Sequence, residues 1–184
     1  MTECITRLDF SFLYWVQSTL KCPFLDFLMP KITFLGNAGL IWLLTAGVLL
    51  VLPKYRRTGI ILLAALALGA LVGNVCLKNL FARPRPCWTD TAVQLLIPVP
   101  QDFSFPSGHT LSSVIAATVL TAADRRFAFA AILLAALIAF SRLYLFVHFP
   151  TDVLASVLLG VGIGLLVWKF GGILPDKILC FLRR

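Results

Sequence analysis

The sequence predicts an all-α protein, a polytopic membrane bundle of about six transmembrane helices with one long loop between the third and fourth. The first observation behind this is composition. Of 184 residues, 60% are hydrophobic and 13% charged, with a mean hydropathy of +0.95. A soluble domain carries about 25% charged and about 45–50% apolar residues, so this chain has too little polar material to clothe a water-facing surface. The second observation is that its charges and prolines fall in short clusters between apolar runs. The third is a run without charge, residues 59–77, long enough to span about 30 Å of hydrocarbon.

The chain reads as one membrane-embedded domain, 1–184. Residues 1–35 are apolar but interrupted by Asp9, Lys21, Pro23, Asp26, Pro30 and Lys31, which predicts a kinked or partly interfacial first helix. Core helices are expected over 36–170. Gly36-Asn37 punctuates the chain, and the apolar run 38–52 ends at Pro53 before the basic cluster Lys54, Arg56, Arg57. Run 59–77 follows and ends at Lys78. Residues 81–105 hold Pro84, Pro86, Pro98, Pro100, Arg83, Arg85, Asp90 and Asp102, and read as the long extramembrane loop. Within it, 92–99 is apolar enough to rest on the membrane as a lid or anchor. Ser107-Gly108-His109 opens a helix over 110–123, and further helices are expected over 127–140 and 153–170. The last is rich in glycine (Gly160, Gly162, Gly164), which permits close helix contact. A basic tail, 171–184, closes the chain.

Basic residues sort by loop. One set holds Lys54, Arg56, Arg57, Arg125, Arg126, Lys169, Lys177, Arg183 and Arg184; the other holds Lys31, Lys78, Arg83, Arg85 and Arg142. The positive-inside rule makes the first set cytoplasmic. If the first segment spans, six helices result, with both termini cytoplasmic. The clusters 78–85, 107–109 and 142–152 then share the extracytoplasmic face.

The formal charge of +8 sits at the ends of apolar runs with no RNA-type aromatic motif, so it reads as topology signal and contact to anionic lipid rather than nucleic-acid binding. Cys4, Cys22, Cys76, Cys87 and Cys180 are odd in number and lack CxxC spacing, which argues against a disulfide framework or zinc site and for small apolar fillers. The N-terminal stretch lacks the pattern of a removable signal peptide.

The three clusters suggest chemistry. Lys78, Arg85 and Arg142 form a clamp for a multiply charged oxyanion. Ser107 and Gly108 at a helix start add backbone N–H groups and the positive dipole end. No metal or other cofactor is needed. His109 and His148 are the only histidines. One can attack phosphorus while the other protonates the departing oxygen, and Asp152 can orient His148. Taken singly, Lys78 reads as an interfacial anchor and Ser107-Gly108 as an ordinary cap. Arg83 reads equally as a solvated loop residue, and Asp90 and Asp102 as structural caps. The conjunction of both histidines with three cations outweighs these readings.

Lys78, six residues, Arg85-Pro86; Pro106-Ser107-Gly108-His109; and Ser141-Arg142, five residues, His148, three residues, Asp152 together resemble the three-part signature of the type 2 phosphatidic acid phosphatase superfamily. The resemblance implies a metal-independent lipid phosphatase working through a phosphohistidine at the extracytoplasmic face of a bacterial cell membrane. His148 would be the nucleophile, Asp152 its orienting partner and His109 the general acid. Lys78, Arg85, Ser107, Gly108 and Arg142 would bind phosphate. The LGNAG run beginning at Leu35 is similar to small bacterial undecaprenyl-diphosphate phosphatases and phosphatidylglycerophosphate phosphatases, with the former favoured as the lipid substrate class. A phosphatidate phosphatase, a lipid phosphotransferase and a non-hydrolytic binder or transporter of phospholipid are further alternatives. The expected partners are the lipid substrate and the bilayer.

Overall fold

In a computed structural model the described residues are 2–171, with backbone alone for Thr2 and Glu3. Helix is the only regular secondary structure among them, with no strand. The expected first helix is two: α1 (Thr2–Thr19) and α2 (Pro23–Leu35). The break falls where Pro23, at the first turn of α2, starts a new helix; Pro30 lies inside α2 without ending it. A 3₁₀ turn, Asn37–Gly39, leads into α3 (Leu40–Val51).

α4 (Arg56–Gly69) continues through a π-helical stretch, Ala70–Leu77, into α5 (Lys78–Phe81). Such a stretch changes the register of everything beyond it, here the face on which Lys78 emerges. The long loop contains only the short α6 (Pro86–Thr89). α7 (Gly108–Ala123), α8 (Ala128–Tyr144) and α9 (Pro150–Gly171) complete the bundle. α8 runs past the expected end at residue 140, so Arg142 sits in the last turn of a helix, where a cation is favoured by the dipole. The connecting turn is 145–149.

α7 is the central helix, packed by α3, α4, α8 and α9. Leu111, Ile115, Ala116, Val119 and Leu120 are buried along it, and Trp42 of α3 donates to Ser113 at 2.9 Å. A Cβ built at Gly160 or Gly164 would lie 2.8 Å from the Cβ of Val114 or Thr118. This is the close approach that small residues four apart allow where lipid supplies no hydrophobic drive between helices. Gly162 faces open space and takes no part. The outer faces are apolar: Phe129, Leu158 and Val51 are 79, 76 and 76% exposed, the pattern of a protein whose solvent is hydrocarbon. Cys4 and Cys76 are exposed and only Cys87 is buried, so as fillers the cysteines differ; Cys180 lies outside the described residues.

The helix starting at Arg56 and the stretches Arg125–Tyr144 and Pro150–Gly171 are long and apolar enough to cross a membrane, as is the pair Pro23–Leu35 and Asn37–Val51, bent by 47°, if it counts as one span. α7 is shorter and apolar. One end of the bundle gathers Tyr55, whose hydroxyl donates to Asp124 at 3.1 Å, and Arg57, which donates to the Gly171 carbonyl at 3.1 Å. This is the basic end; Lys177, Arg183 and Arg184, and the tail from 172, lie outside the described residues. The opposite end carries the long loop and the 145–149 turn. α1 belongs to this second end. Its Asp9 accepts from Thr151, its Tyr14 donates to Asp90, and its Gln17 donates to Tyr144. Ahead of Asp9, α1 has only residues 2–8, about 10 Å at 1.5 Å per residue. The described part of α1 therefore does not run from one end of the bundle to the other, and among the described residues three helices, or four if the bent pair is one span, are long and apolar enough to cross.

Candidate active site

Six of the eight expected residues line one cavity of about 520 Å³, Lys78, Arg85, Gly108, His109, Arg142 and His148, and Asp102 lines it as well. Residues 97–100 form part of its mouth, and Trp88 donates to the Pro100 carbonyl at 3.1 Å. The apolar stretch 92–99 is thus irregular chain that ends beside the site. Ser107 and Asp152 stand behind the walls. Ser107 caps α7, its Oγ accepting from the Thr110 hydroxyl at 3.0 Å, so its own side chain is committed to the helix start.

His148 is 1% exposed. Arg85 Nη1 lies 3.0 Å from its Nε2. An arginine only donates, so Nε2 accepts and the ring proton lies on Nδ1. That nitrogen is 3.6 Å from Asp152 Oδ2 and 3.5 Å from Ser104 Oγ. Burial, with Arg85 and Arg142 close by, holds the imidazole far below its ordinary pKa, at about 3, against the pull of Asp152. The ring is neutral, with its lone pair on the cavity side.

Asp152 is fully buried and both of its oxygens accept hydrogen bonds. Ser104 Oγ donates to Oδ2, as does the Phe149 N–H at 2.9 Å, while Arg83 Nη1 donates to Oδ1 at 2.6 Å. The Phe149 bond is the carboxylate half of a capping box at the start of α9. One side chain therefore starts the helix and faces the histidine.

His109 is held differently. Its Nε2 is 2.9 Å from Asn37 Oδ1, on the turn between α2 and α3. A Cβ at Gly36 would come within 2.7 Å of the His109 ring, so glycine there is what lets the imidazole lie against that turn. Gly108 is constrained in the same way, its Cβ position being 2.8 Å from Asn74 of the π stretch.

Arg142 is 3% exposed. Its Nη1 donates to Thr33 Oγ1, and its Nε has no partner among the described residues. Lys78 and Arg85 both pair with Asp102, the latter at 2.7 Å. Asp102 is therefore no helix cap. Burial pushes its pKa up, but Lys78 and Arg85 outweigh this and hold it at about 2. Three cations face one carboxylate, an excess of two positive charges that suits a phosphate dianion and repels a divalent metal.

Sequence reasoning missed Asp9, Thr33, Asn37, Ser104 and the part played by Asp102, and left Arg83 undecided. Each is a polar residue whose partner is a distant charged group of the signature. A signal was present in Asp9, a charge inside an apolar segment, which membrane energetics marks for notice. Among the described residues the three non-glycine positions with positive φ, Ala38 (49°), Ala82 (42°) and Phe146 (57°), adjoin site loops, beside Asn37, Arg83 and the His148 turn.

A second cavity of about 870 Å³ shares Lys78, Asp102, Gly108 and His109 with the first. It continues between α3, α4 and α7 along Gly39, Leu43, Leu63, Leu66 and Ile115.

A family model described as the PAP2 superfamily matches residues 58–173. An undecaprenyl-diphosphatase of Sulfolobus acidocaldarius is 35% identical over 68% of this chain and 61% of its own length. The undecaprenyl-diphosphatase BcrC of Bacillus subtilis is 32% identical over 58% of this chain and 55% of its own. The match thus spans less than two thirds of either. Phosphatidylglycerophosphatase B of B. subtilis is 30% identical over 90% of this chain and 82% of its own length. Among solved structures, LpxE of Aquifex aeolicus superposes with a TM-score of 0.79 at 28% identity, covering 88% of this chain and 95% of that one. A PAP2-type phosphatidylglycerolphosphate phosphatase of B. subtilis gives 0.74 at 26%, covering 94% and 88%.

Proposed function

This chain belongs to the PAP2 superfamily, and on that premise we propose that it is a metal-independent membrane lipid phosphatase acting through a phosphohistidine, with undecaprenyl diphosphate as its substrate. The observation that carries this is the buried Arg142, one donor unmet, beside Lys78 and Arg85 and across from the His148 lone pair. Buried donors need acceptors, and a phosphate supplies them.

In the first step phosphate takes the Arg85 and Lys78 donors from Asp102 and the His148 nitrogen. His148 Nε2 attacks phosphorus, the P–N bond forms, and the bond to the leaving oxygen breaks as His109 gives that oxygen a proton. The imidazole, now cationic, draws on the carboxylate of Asp152 across Nδ1. In the second step His109 takes a proton from water, the hydroxide attacks phosphorus, and the P–N bond breaks to return the lone pair to His148. Lys78, Arg85, Arg142 and the first-turn N–H groups of Gly108 and His109 stabilise the equatorial oxygens. Ser107 contributes by holding that turn.

The apolar cavity running from the site between α3, α4 and α7 supports a lipid substrate whose chain lies in the membrane. The basic end, by the positive-inside rule, supports an extracytoplasmic active site, with α1 on the same side as the site in a single membrane domain. The undecaprenyl-diphosphatase relatives favour a polyprenyl diphosphate. The length of the match to phosphatidylglycerophosphatase B favours a second reading, phosphatidylglycerophosphate. Inorganic phosphate release by purified protein over undecaprenyl diphosphate, undecaprenyl phosphate, phosphatidylglycerophosphate and phosphatidate tests both. The highest kcat/KM is expected for the diphosphate; a higher value for phosphatidylglycerophosphate selects the second reading. No release from any of the four, or loss of lipid phosphate without free phosphate, overturns hydrolysis.

A further inference from the structure

Arg83 and Asp9 take no part in the two chemical steps, yet they form a polar unit behind the nucleophile. Arg83 Nη1 donates to Asp152 Oδ1 at 2.6 Å and to Thr151 Oγ1 at 2.8 Å. Its Nη2 donates to Asp9 Oδ2 at 2.7 Å. The guanidinium lies over the Phe149 ring, 4.1 Å from its centroid, so its plane is fixed as well as its edges. Asp9 in turn holds the start of α9: its Oδ1 accepts from the Thr151 N–H at 3.1 Å and its Oδ2 from the Thr151 hydroxyl at 2.6 Å. Asp9 and Asp152 are 3% and 0% exposed. Two buried carboxylates share one arginine, which leaves a net negative charge behind His148.

We propose that Arg83 and Asp9 are positioning residues for the reaction, holding Asp152 so that His148 keeps its proton on Nδ1 and its lone pair toward the phosphate. This rests on His148 being the nucleophile. Asp152 Oδ2 is 3.6 Å from His148 Nδ1, a distance at which a rotation of the carboxylate decides whether the pair couples. Ser104 and the Phe149 N–H hold Oδ2, and Arg83 holds Oδ1, the other end about which the carboxylate would turn. A planar fork with donors on both edges can grip two carboxylates together, which an ammonium cannot. Asp9 belongs to α1, outside the residues matched by the family model, so this chain's first helix takes part in its chemistry. The residual negative charge also favours the imidazolium that forms when phosphorus is bound.

The test uses the purified full chain in detergent, with phosphate release and histidine-selective ¹⁵N NMR. The chain has two histidines, so a His109→Gln background leaves one imidazole to read. Arg83→Gln is expected to lower kcat about tenfold, and Asp9→Asn about fivefold, with KM within about twofold and the Nε2–H tautomer of His148 appearing. The double variant should lose no more than Arg83→Gln alone, as residues acting in one chain do. Arg83→Lys should recover only part of the loss. Unchanged kcat and an unchanged tautomer in both single variants overturn the proposal, as does a rise in KM at constant kcat. Asp9→Asn, isosteric with the carboxylate, decides the matter if Arg83→Gln does not fold. His148→Ala, run alongside, separates the two failures: if it stays active, the nucleophile reading falls; if it is dead while Asp9→Asn and Arg83→Gln are normal, only the positioning role falls.

Discussion

His148 and His109 face one cavity but are held in unlike ways. His148 is sealed, its ring lying among Arg85, Ser104 and Asp152, with further support from α1 through Arg83. His109 is half-buried, with one side-chain hydrogen bond among the described residues, to Asn37 on a turn outside the matched residues. The difference follows from the tasks proposed for them. A nucleophile needs one tautomer and one angle of approach, so it is fixed from behind by groups that do not move. A proton donor that becomes an acceptor in the next step must meet two partners, a leaving oxygen and then a water, and a lone amide contact is readily exchanged.

The largest effect expected from breaking this contrast is His148→Ala, which should abolish phosphate release, at least about 10⁴-fold, whatever the leaving group. His109→Ala should cost about 10²–10³-fold on lipid substrates. It should cost much less in the first-turnover burst of aryl release from an aryl phosphate, whose leaving oxygen needs no proton, than in the turnover that follows, where His109 is still the base. Equal losses on both substrates for the two variants would sink the assignment of roles. Next in size, Arg142→Lys should weaken inhibition by vanadate about tenfold or more, because a point charge replaces the fork that meets Thr33 and the anion together; an unchanged inhibition constant would remove Arg142 from the phosphate site. Gly36→Ala, by pressing on the His109 ring, should lower kcat about tenfold, and Asn37→Ala less, about threefold. Burst kinetics with both substrates checks that neither touches the first-turnover release of the aryl group.

The smallest effect concerns Asp102. Its folded pKa, about 2, is depressed below an ordinary value of about 4. Its pairs with Lys78 and Arg85 therefore add stability that is fully present above about pH 4 and lost as pH falls toward 2. Asp102→Asn should flatten the melting temperature over that window by a few degrees, and should tighten phosphate inhibition about threefold by removing a competitor for the same cations. Parallel melting curves for wild type and variant between pH 5 and 3 would contradict the pairing.

The same contrast explains what was legible. Lys78, Arg85, His109, Arg142, His148 and Asp152 stand in compact clusters, and hydropathy alone brings those clusters to one end of a bundle. Their supporting partners do not cluster. Asp9 meets Thr151 at a separation of 142 positions, Thr33 meets Arg142 at 109, and Asn37 meets His109 at 72. Periodicity carries no information on such pairings. Helix existence was readable from apolar runs, whereas the end of α8 was not, since Ser141 and Arg142 look like turn residues until the dipole and the Ser141–Ile138 hydrogen bond at 2.6 Å are counted. The fate of α1 depended on where Asp9 docks, which is a tertiary fact.

Ala38, Ala82 and Phe146 hold left-handed backbone without being glycine, each at a cost of about 1–3 kcal/mol. Glycine at any of them would relieve that cost in the folded state while widening the unfolded ensemble, so stability and activity should part company there. A protein made sturdier at residue 146 would be a slower one, because the loop carrying His148 would no longer be drawn to a single shape. Selection for turnover at this site is selection against comfort in its backbone, and a search for heat-resistant variants should begin elsewhere in the bundle.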